Sequence, residues 1–573
     1  MTRKVALGLF HFNVQYVAGN LRLYHRYCTE AVLPFLEQIA EHPTLRVSFE
    51  MSGSGLEFLA RHYASYIALL HDLIEKRQIE LISSTYAPTL WIAFPGRDLL
   101  KSIDHNQRVL SQLGLQNADI FFAQESFFGS GLKKIANKFS IALCKDEYVA
   151  FYHGNTNVNP AYKIGPLTVL VGSNHLMNDI AEQLSGDMAN KRASGLWGFT
   201  RRRLEERKDA LSGVCTNARK GTRDGLSWYW YHMGSGHHFA SPTAPDEDVF
   251  ECNTDWMRYN LRNLSMIAEK GYAFTHIGEF ASFQQATRLA DFPVVIEGSW
   301  NTERSAGGFT WMGNQSMPWQ NSNGNLGLAW RSRLALRTCE VALEKLPGID
   351  ATGVAEKLEP LWRQQIIAES SDPLGWRPLP EEVMYGSYAA EQALQAAQQL
   401  KAQLRLFSSG SLIQFESALE PIADLSVPPI DIEVVGEEPF VSWQLSNSGG
   451  YLLQVVARSS AGAIVVRFPR KSNVIWYCPT GLETEPLRIN IDTLVPSRLC
   501  FPLSNGLIGV EDDIAIIRVN RSGQVAAVID KAAPSIAFMV LGAGARQCVQ
   551  WKFLILRCTA LEAVVVANTV NAV

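Results

Sequence analysis

No Cys-x-x-Cys pair occurs in this chain, and its nine cysteines are scattered and odd in number. That argues against a disulfide framework and a structural zinc site, and for free thiols in a reducing cytosol. Long apolar runs are missing as well. No segment approaches the roughly 18 apolar residues of a membrane span. The N-terminal run Val5–Phe10 is only about six residues, too short for the core of a secretory signal. Charge is sparse: 19% of residues are charged and the net charge is −4. That excludes an overall electrostatic footprint for nucleic acid. There is no internal repeat and no low-complexity tract. The expectation is a cytoplasmic globular protein with no nucleic-acid or membrane partner.

What is present is length and aromatic content. A chain of 573 residues exceeds one ordinary core and implies two or three domains. Fourteen Trp and 17 Tyr supply either large cores or flat faces for sugar rings. Short apolar strands alternate with helical periodicity in the first half. Strands are expected at Val5–Phe10, Arg46–Glu50, Ile79–Ser83, Ile120–Ala123, Ile141–Lys145, Leu167–Val171, Leu226–Tyr231 and Ala273–Thr275. Helices are expected at Thr29–Glu41, Leu56–Lys76, Leu99–Leu113 and Gly131–Phe139. Such alternation implies an α/β fold with a parallel sheet and crossover helices, and so many units suggest a closed barrel over 1–290. Residues 291–410 read as a Gly/Asn/Ser/Trp-rich loop and a helical subdomain of Asn325–Leu346, Val354–Glu369 and Glu381–Phe407. From 411 to 573, short β-type runs with turns between them predict an all-β sandwich.

Catalytic groups of parallel barrels sit at the C-terminal ends of strands. The residues found there are His11, Asn13, Gln15 and Tyr16; Glu50, Ser52 and Gly53; Ser83 to Pro88; Gln124 and Glu125; Asp146 and Glu147; and Tyr231, His232, His237 and His238. A carboxylate directly after an apolar strand, as Glu125 is, points into the barrel mouth or serves as a structural anion.

Taken in order, His11-x-Asn13-x-x-Tyr16, Gln78-x-Glu80 through Thr85-Tyr86-x-Pro88, and Phe122-Ala-Gln-Glu125 resemble the first three conserved regions of glycoside hydrolase family 57. The segment around Ser52-Gly53 resembles that family's strand-turn-helix between the first two regions, Asn174–Ile180 its segment after the fifth strand, Phe274–Phe280 its last barrel region, and Ser371-Asp372-Pro-Leu-Gly-Trp376 an element of its helical subdomain. The resemblance covers about residues 1–400. It implies an incomplete seven-stranded β/α barrel, a helical subdomain and a β-sandwich. It implies hydrolysis or transfer of α-linked glucan with retention, a saccharide partner and no cofactor. Glu125 falls at the nucleophile position, and His11 and Tyr86 at substrate-contacting positions.

The family's acid region has no Asp or Glu here; it reads Trp228 to His238. A retaining enzyme needs two carboxyl groups about 5–5.5 Å apart. Asp246, Glu303 and Asp372 are candidate acids reaching in from loops, and His232 is a proton donor that titrates near neutrality. A reaction that needs no acid and a silent sugar-binding homologue stay open. So does a metal-dependent deacetylase or mannosidase-like enzyme built on three of His11, His175, His232, His237 and His238. Trp300, Trp311 and Trp376, with Asn13 and Tyr16, are candidate sugar contacts. The basic cluster Lys191 to Arg223 reads as a solvated insertion or as a lid for anionic sugars.

Overall fold

A computed structural model gives the architecture. It describes residues 3–172 except 92, 125–126, 146–148, 150–151 and 154–158; 220–240 except 224; and 254–293 except 286–287. It further describes 322–345, 351–403 except 375–378 and, between 431 and 557, chiefly the strands.

The chain opens with β1, Arg3–Phe12. Its residues from Val5 to Phe12 are buried on both faces, which is why it reads as one continuous apolar run. Helices α1 (Leu21–Tyr27) and α2 (Leu33–Glu41) follow, joined by a π-helical turn at Cys28–Val32. Then come β2 (Val47–Met51), α3 (Gly53–His62), α4 (Ala64–Glu75), β3 (Ile79–Leu81), α5 (Gly96–Gln112), β4 (Ile120–Phe121) and β5 (Ile141–Lys145). Strands β6 (Ala161–Ile164) and β7 (Leu167–Gly172) form an antiparallel hairpin, as do β8 (Lys220–Arg223) and β9 (Leu226–Ser235). After the short helix α6 (His237–Ala240) come α7 (Thr254–Glu269), β10 (Ala273–Phe274), α8 (Ile277–Gln285) and β11 (Ala290–Asp291).

One sheet runs β3-β2-β1-β9-β8, with β10 also on β1; the other runs β11-β6-β7-β5-β4. A parallel bridge between Ser83 and Phe121 links the β3 end of the first to β4. At the far ends, Gly172 closes β7 against β9, where an added Cβ would lie 2.3 Å from Met233 Sδ. The α/β sheets are therefore barrel-like. Parallel pairing along β9-β1-β2-β3 and β4-β5-β7 puts the chain's C-terminal strand ends on one side.

Downstream come α9 (Ser322–Lys345), α10 (Ala351–Ala368), α11 (Ser371–Leu374) and α12 (Pro380–Gln403); α9, α10 and α12 pack around Leu336, Leu358, Trp362 and Leu400, while Leu374 of α11 joins the main core. The strands between Asp431 and Arg557 form two antiparallel sheets. No helix among the described residues is long and apolar enough to cross a membrane.

The helix expected over Leu56–Lys76 is broken at Tyr63, whose backbone leaves the helical region (φ −143°, ψ 56°). The cause is tertiary. Tyr63 Oη lies 2.7 Å from His25 Nδ1, and its ring stacks on Tyr66 at 5.0 Å. Both halves keep their apolar residues toward the core, so periodicity cannot reveal the break. The helix expected from Thr29 begins earlier, at Leu21, where the Asn20 side chain accepts a hydrogen bond from Leu23 N (3.1 Å) and caps it. Where an α-helix is expected over Gly131–Phe139, the chain forms a 3₁₀ helix, Ser130–Asn137.

Candidate active site

The strand ends gather a buried polar cluster. His11, near the end of β1, is in register with Glu50 of β2 on one side and with Ser235 of β9 on the other. Ser235 Oγ lies 3.4 Å from His11 Nε2. Glu50 is fully buried. The Gln124 side chain, just past β4, donates to both Glu50 oxygens at 2.9 and 3.0 Å. Two residues beyond His11, Asn13 donates from Nδ2 to both oxygens of Asp372, each at 3.2 Å. Asn13 Oδ1 accepts from Gln15 N, which fixes the turn leaving the strand. Tyr27 lies close enough to feel both carboxylates. Burial first, then Cys28, Glu50 and Asp372, hold its phenol well above its usual range.

Asp372 is 359 residues from Asn13 in sequence. It arrives because residues 369–371 pair with the loop after β3: Leu90 N donates to Glu369 O, Ser371 N donates to Pro88 O, and Thr89 bridges Ser370. Beneath that junction, Arg333 of α9 forms an ion pair with Asp98 of α5, both buried. Glu369 lies beside them and accepts from Gln365 Nε2 at 2.7 Å. Burial, reinforced by Asp98, raises its carboxyl well above the usual range despite Arg333.

The other expected residues are distributed as follows. Tyr86 is 6% exposed; its hydroxyl donates to Glu57 Oε2 (2.8 Å), and Arg363 donates to Glu57 Oε1 (2.9 Å). Burial, then Glu57, raises the Tyr86 phenol. His232 is fully buried and stacks on Phe10 at 4.4 Å. A bulge explains this position. The register shifts between Leu7 and Gly8, so that Leu7 faces Trp230, Gly8 faces His232, and Tyr231 is the extra residue. An extra residue flips every later side chain to the other face. Glu80, quoted in the second motif, caps α8 by accepting from Gly278 N and also takes a bond from Ser48 Oγ (2.9 Å). Burial raises its carboxyl.

Glu125, Asp246, Glu303, Trp300, Trp311, Trp376, His175 and most of the basic insertion lie outside the described residues, and the side chain of Tyr16 is not described. Among the described residues, no group of three His, Cys, Asp or Glu is placed to hold a metal ion. The sequence reading names Glu50 as a strand-end residue but gives it no role. Its signal was there, since it ends an apolar strand as Glu125 does. The Gln124 contact that gives it significance spans 74 residues.

Residues 11–209 match the family described as Glycosyl hydrolase family 57. An α-amylase of Pyrococcus horikoshii is 30% identical over 95 residues, 17% of this chain and 15% of that protein. A 4-α-glucanotransferase of Thermococcus litoralis is 26% identical over 91 residues, 16% of this chain and 14% of that protein. The matched stretches thus span about a seventh of these curated relatives. An α-mannosidase structure from Enterococcus faecalis superposes with a TM-score of 0.50 at 8% identity, covering 97% of this chain and 87% of that one. At that identity the likeness is one of fold.

Proposed function

We propose that this chain, whose residues 11–209 match glycosyl hydrolase family 57, acts as an enzyme of that family and hydrolyses or transfers α-linked glucosyl units with retention. Glu125 is the nucleophile. The observation that carries the reading is the meeting of Asn13 and Asp372, which brings a carboxyl group from the helical part to the end of β1.

In the first step the Glu125 carboxylate attacks the anomeric carbon. The glycosidic C–O bond breaks, and a proton passes to the leaving oxygen. Water or an acceptor sugar hydroxyl then displaces Glu125 from the same face as the departed group. Asp372 is the acid we favour, because it supplies the carboxyl that the Trp228–His238 stretch lacks. Glu303 is a second candidate. His232 ranks below both, since the retaining mechanism calls for a second carboxyl group and the His232 ring stacks on Phe10. His11, Asn13, Tyr16 and Tyr86, with Trp300, Trp311 and Trp376, form the sugar-binding surface. The framework is an incomplete seven-stranded barrel over 1–290, a helical subdomain over 291–410 and a β-sandwich over 411–573.

The test is turnover of α-linked aryl glycosides and malto-oligosaccharides by wild type, Glu125→Gln and Asp372→Asn. Expected are active wild type, inactive Glu125→Gln, and an Asp372→Asn enzyme that keeps activity on glycosides with good leaving groups but loses it on oligosaccharides. A wild type that binds malto-oligosaccharides yet turns over none of the panel would make the chain a silent binding homologue.

A further inference from the structure

We propose that Glu50 is a positioning residue of this site: it holds the β4 end that carries Glu125 by taking both hydrogen bonds from the Gln124 amide. The inference rests on the reading of Glu125 as nucleophile. Glu50 is 0% exposed and Gln124 is 2% exposed. A carboxylate in such surroundings is costly to keep unless it is hydrogen-bonded. Gln124 Nε2 reaches both oxygens, at 2.9 and 3.0 Å. Ionised carboxylate is acceptor-only at both oxygens, so the pairing fixes which way the amide faces. The amide oxygen of Gln124 has no hydrogen-bond partner among the described residues. Glu50 therefore sets the orientation of that side chain.

The next residue in the chain is Glu125. A nucleophile must approach the anomeric carbon along a narrow path, and displacement by about 1 Å costs on the order of 100-fold in rate. Glu50 stands in register with His11 across β1 and β2. It thereby links two strand ends of the site, and both of its oxygens are taken by the Gln124 amide. Its role is to act through Gln124. A merely structural carboxylate would stabilise the sheet without favouring the chemical step.

The experiment compares kcat, KM and melting temperature of Glu50→Gln, Gln124→Met and the exchanged pair Glu50→Gln/Gln124→Glu on an aryl α-glucoside. Alongside these, Glu125→Gly is assayed with azide as an external nucleophile. In Glu50→Gln two amide groups face each other and one bond is lost. The expected kcat falls about 10- to 100-fold while KM stays within about 2-fold. Gln124→Met behaves alike. The exchanged pair restores donor to acceptor and recovers most of the lost kcat. Unchanged kcat in both single variants, or a loss the exchange does not reverse, overturns the positioning role. Formation of glycosyl azide by Glu125→Gly in that same set shows that the nucleophile reading survives. No azide rescue, or an inert wild type, overturns the nucleophile reading and the positioning role with it.

Discussion

Replacing Arg333 with Met tests how Asp372 is held in place. Arg333 is 3% exposed and its partner Asp98 is fully buried. Arg333 Nε and Nη2 both donate to the Asp98 carboxylate. Its guanidinium carbon also lies 5.0 Å over the Trp330 ring. Methionine fills much of the volume but leaves the Asp98 charge without its cation. Breaking a buried pair from one side costs about 3–5 kcal/mol. At about 2.1 cal/mol/K of unfolding entropy per residue, a chain of 573 residues unfolding as one unit shifts by roughly 0.8 °C per kcal/mol, so the melting temperature falls by about 2–4 °C. Asp98→Leu/Arg333→Met removes both charges and returns to within about 2 kcal/mol of wild type, because the cost lies in the orphaned charge. Differential scanning calorimetry and urea titration of the four proteins measure the cycle. The reasoning is refuted if the single variant costs under about 1 kcal/mol, or if the double variant costs the sum of both singles.

Other outcomes follow from neighbouring features. The Glu369 carboxyl is raised by burial, so the folded protein binds its proton more tightly than the unfolded chain. That contribution is complete below the ordinary value of 4.5 and is lost as pH rises toward the raised folded value. Glu369→Gln therefore flattens the decline of melting temperature as pH rises above the ordinary carboxyl value and stabilises most at the upper end of the titration; an unchanged slope contradicts this. Tyr86→Phe loses the bond to Glu57, worth about 0.5–1.5 kcal/mol. If Tyr86 contacts sugar, KM rises about 2- to 10-fold with kcat nearly unchanged, as read from initial rates. Gly8→Ala would put a Cβ 2.3 Å from the Tyr231 ring; a loss of about 1–3 kcal/mol by chemical denaturation is expected.

Much of the framework is legible in the sequence because buried parallel strands read as apolar runs. Val47–Met51, Ile141–Lys145 and Leu167–Gly172 lie where those runs predicted strands. The three long helices after residue 320 also lie where periodicity put them. The break at Tyr63 is invisible because a side-chain contact with His25 imposes it. The β6 strand escapes notice because Ala161–Ile164 is short and half polar. At the site, strand-end logic picked out His11 and Asn13, the search for a missing acid named Asp372 as a loop-borne candidate, and Asn13 and Asp372 are in hydrogen-bond contact. It gave no warning of the β9 bulge, because one extra residue leaves no trace in composition. Nor did it separate Glu80, which caps a helix, from Glu50, which meets Gln124.

The account's central claim is that Glu125 forms a covalent glycosyl intermediate. Incubation with 5-fluoro-α-glucosyl fluoride, tryptic digestion and tandem mass spectrometry test it directly. The peptide from Val109 to Lys133 contains only two carboxylate side chains, Asp119 and Glu125, so fragmentation assigns the adduct without ambiguity. The account predicts a fluoroglucosyl adduct on Glu125 that is absent in Glu125→Gln. An adduct on any other residue, or inactivation without an adduct on that peptide, contradicts it.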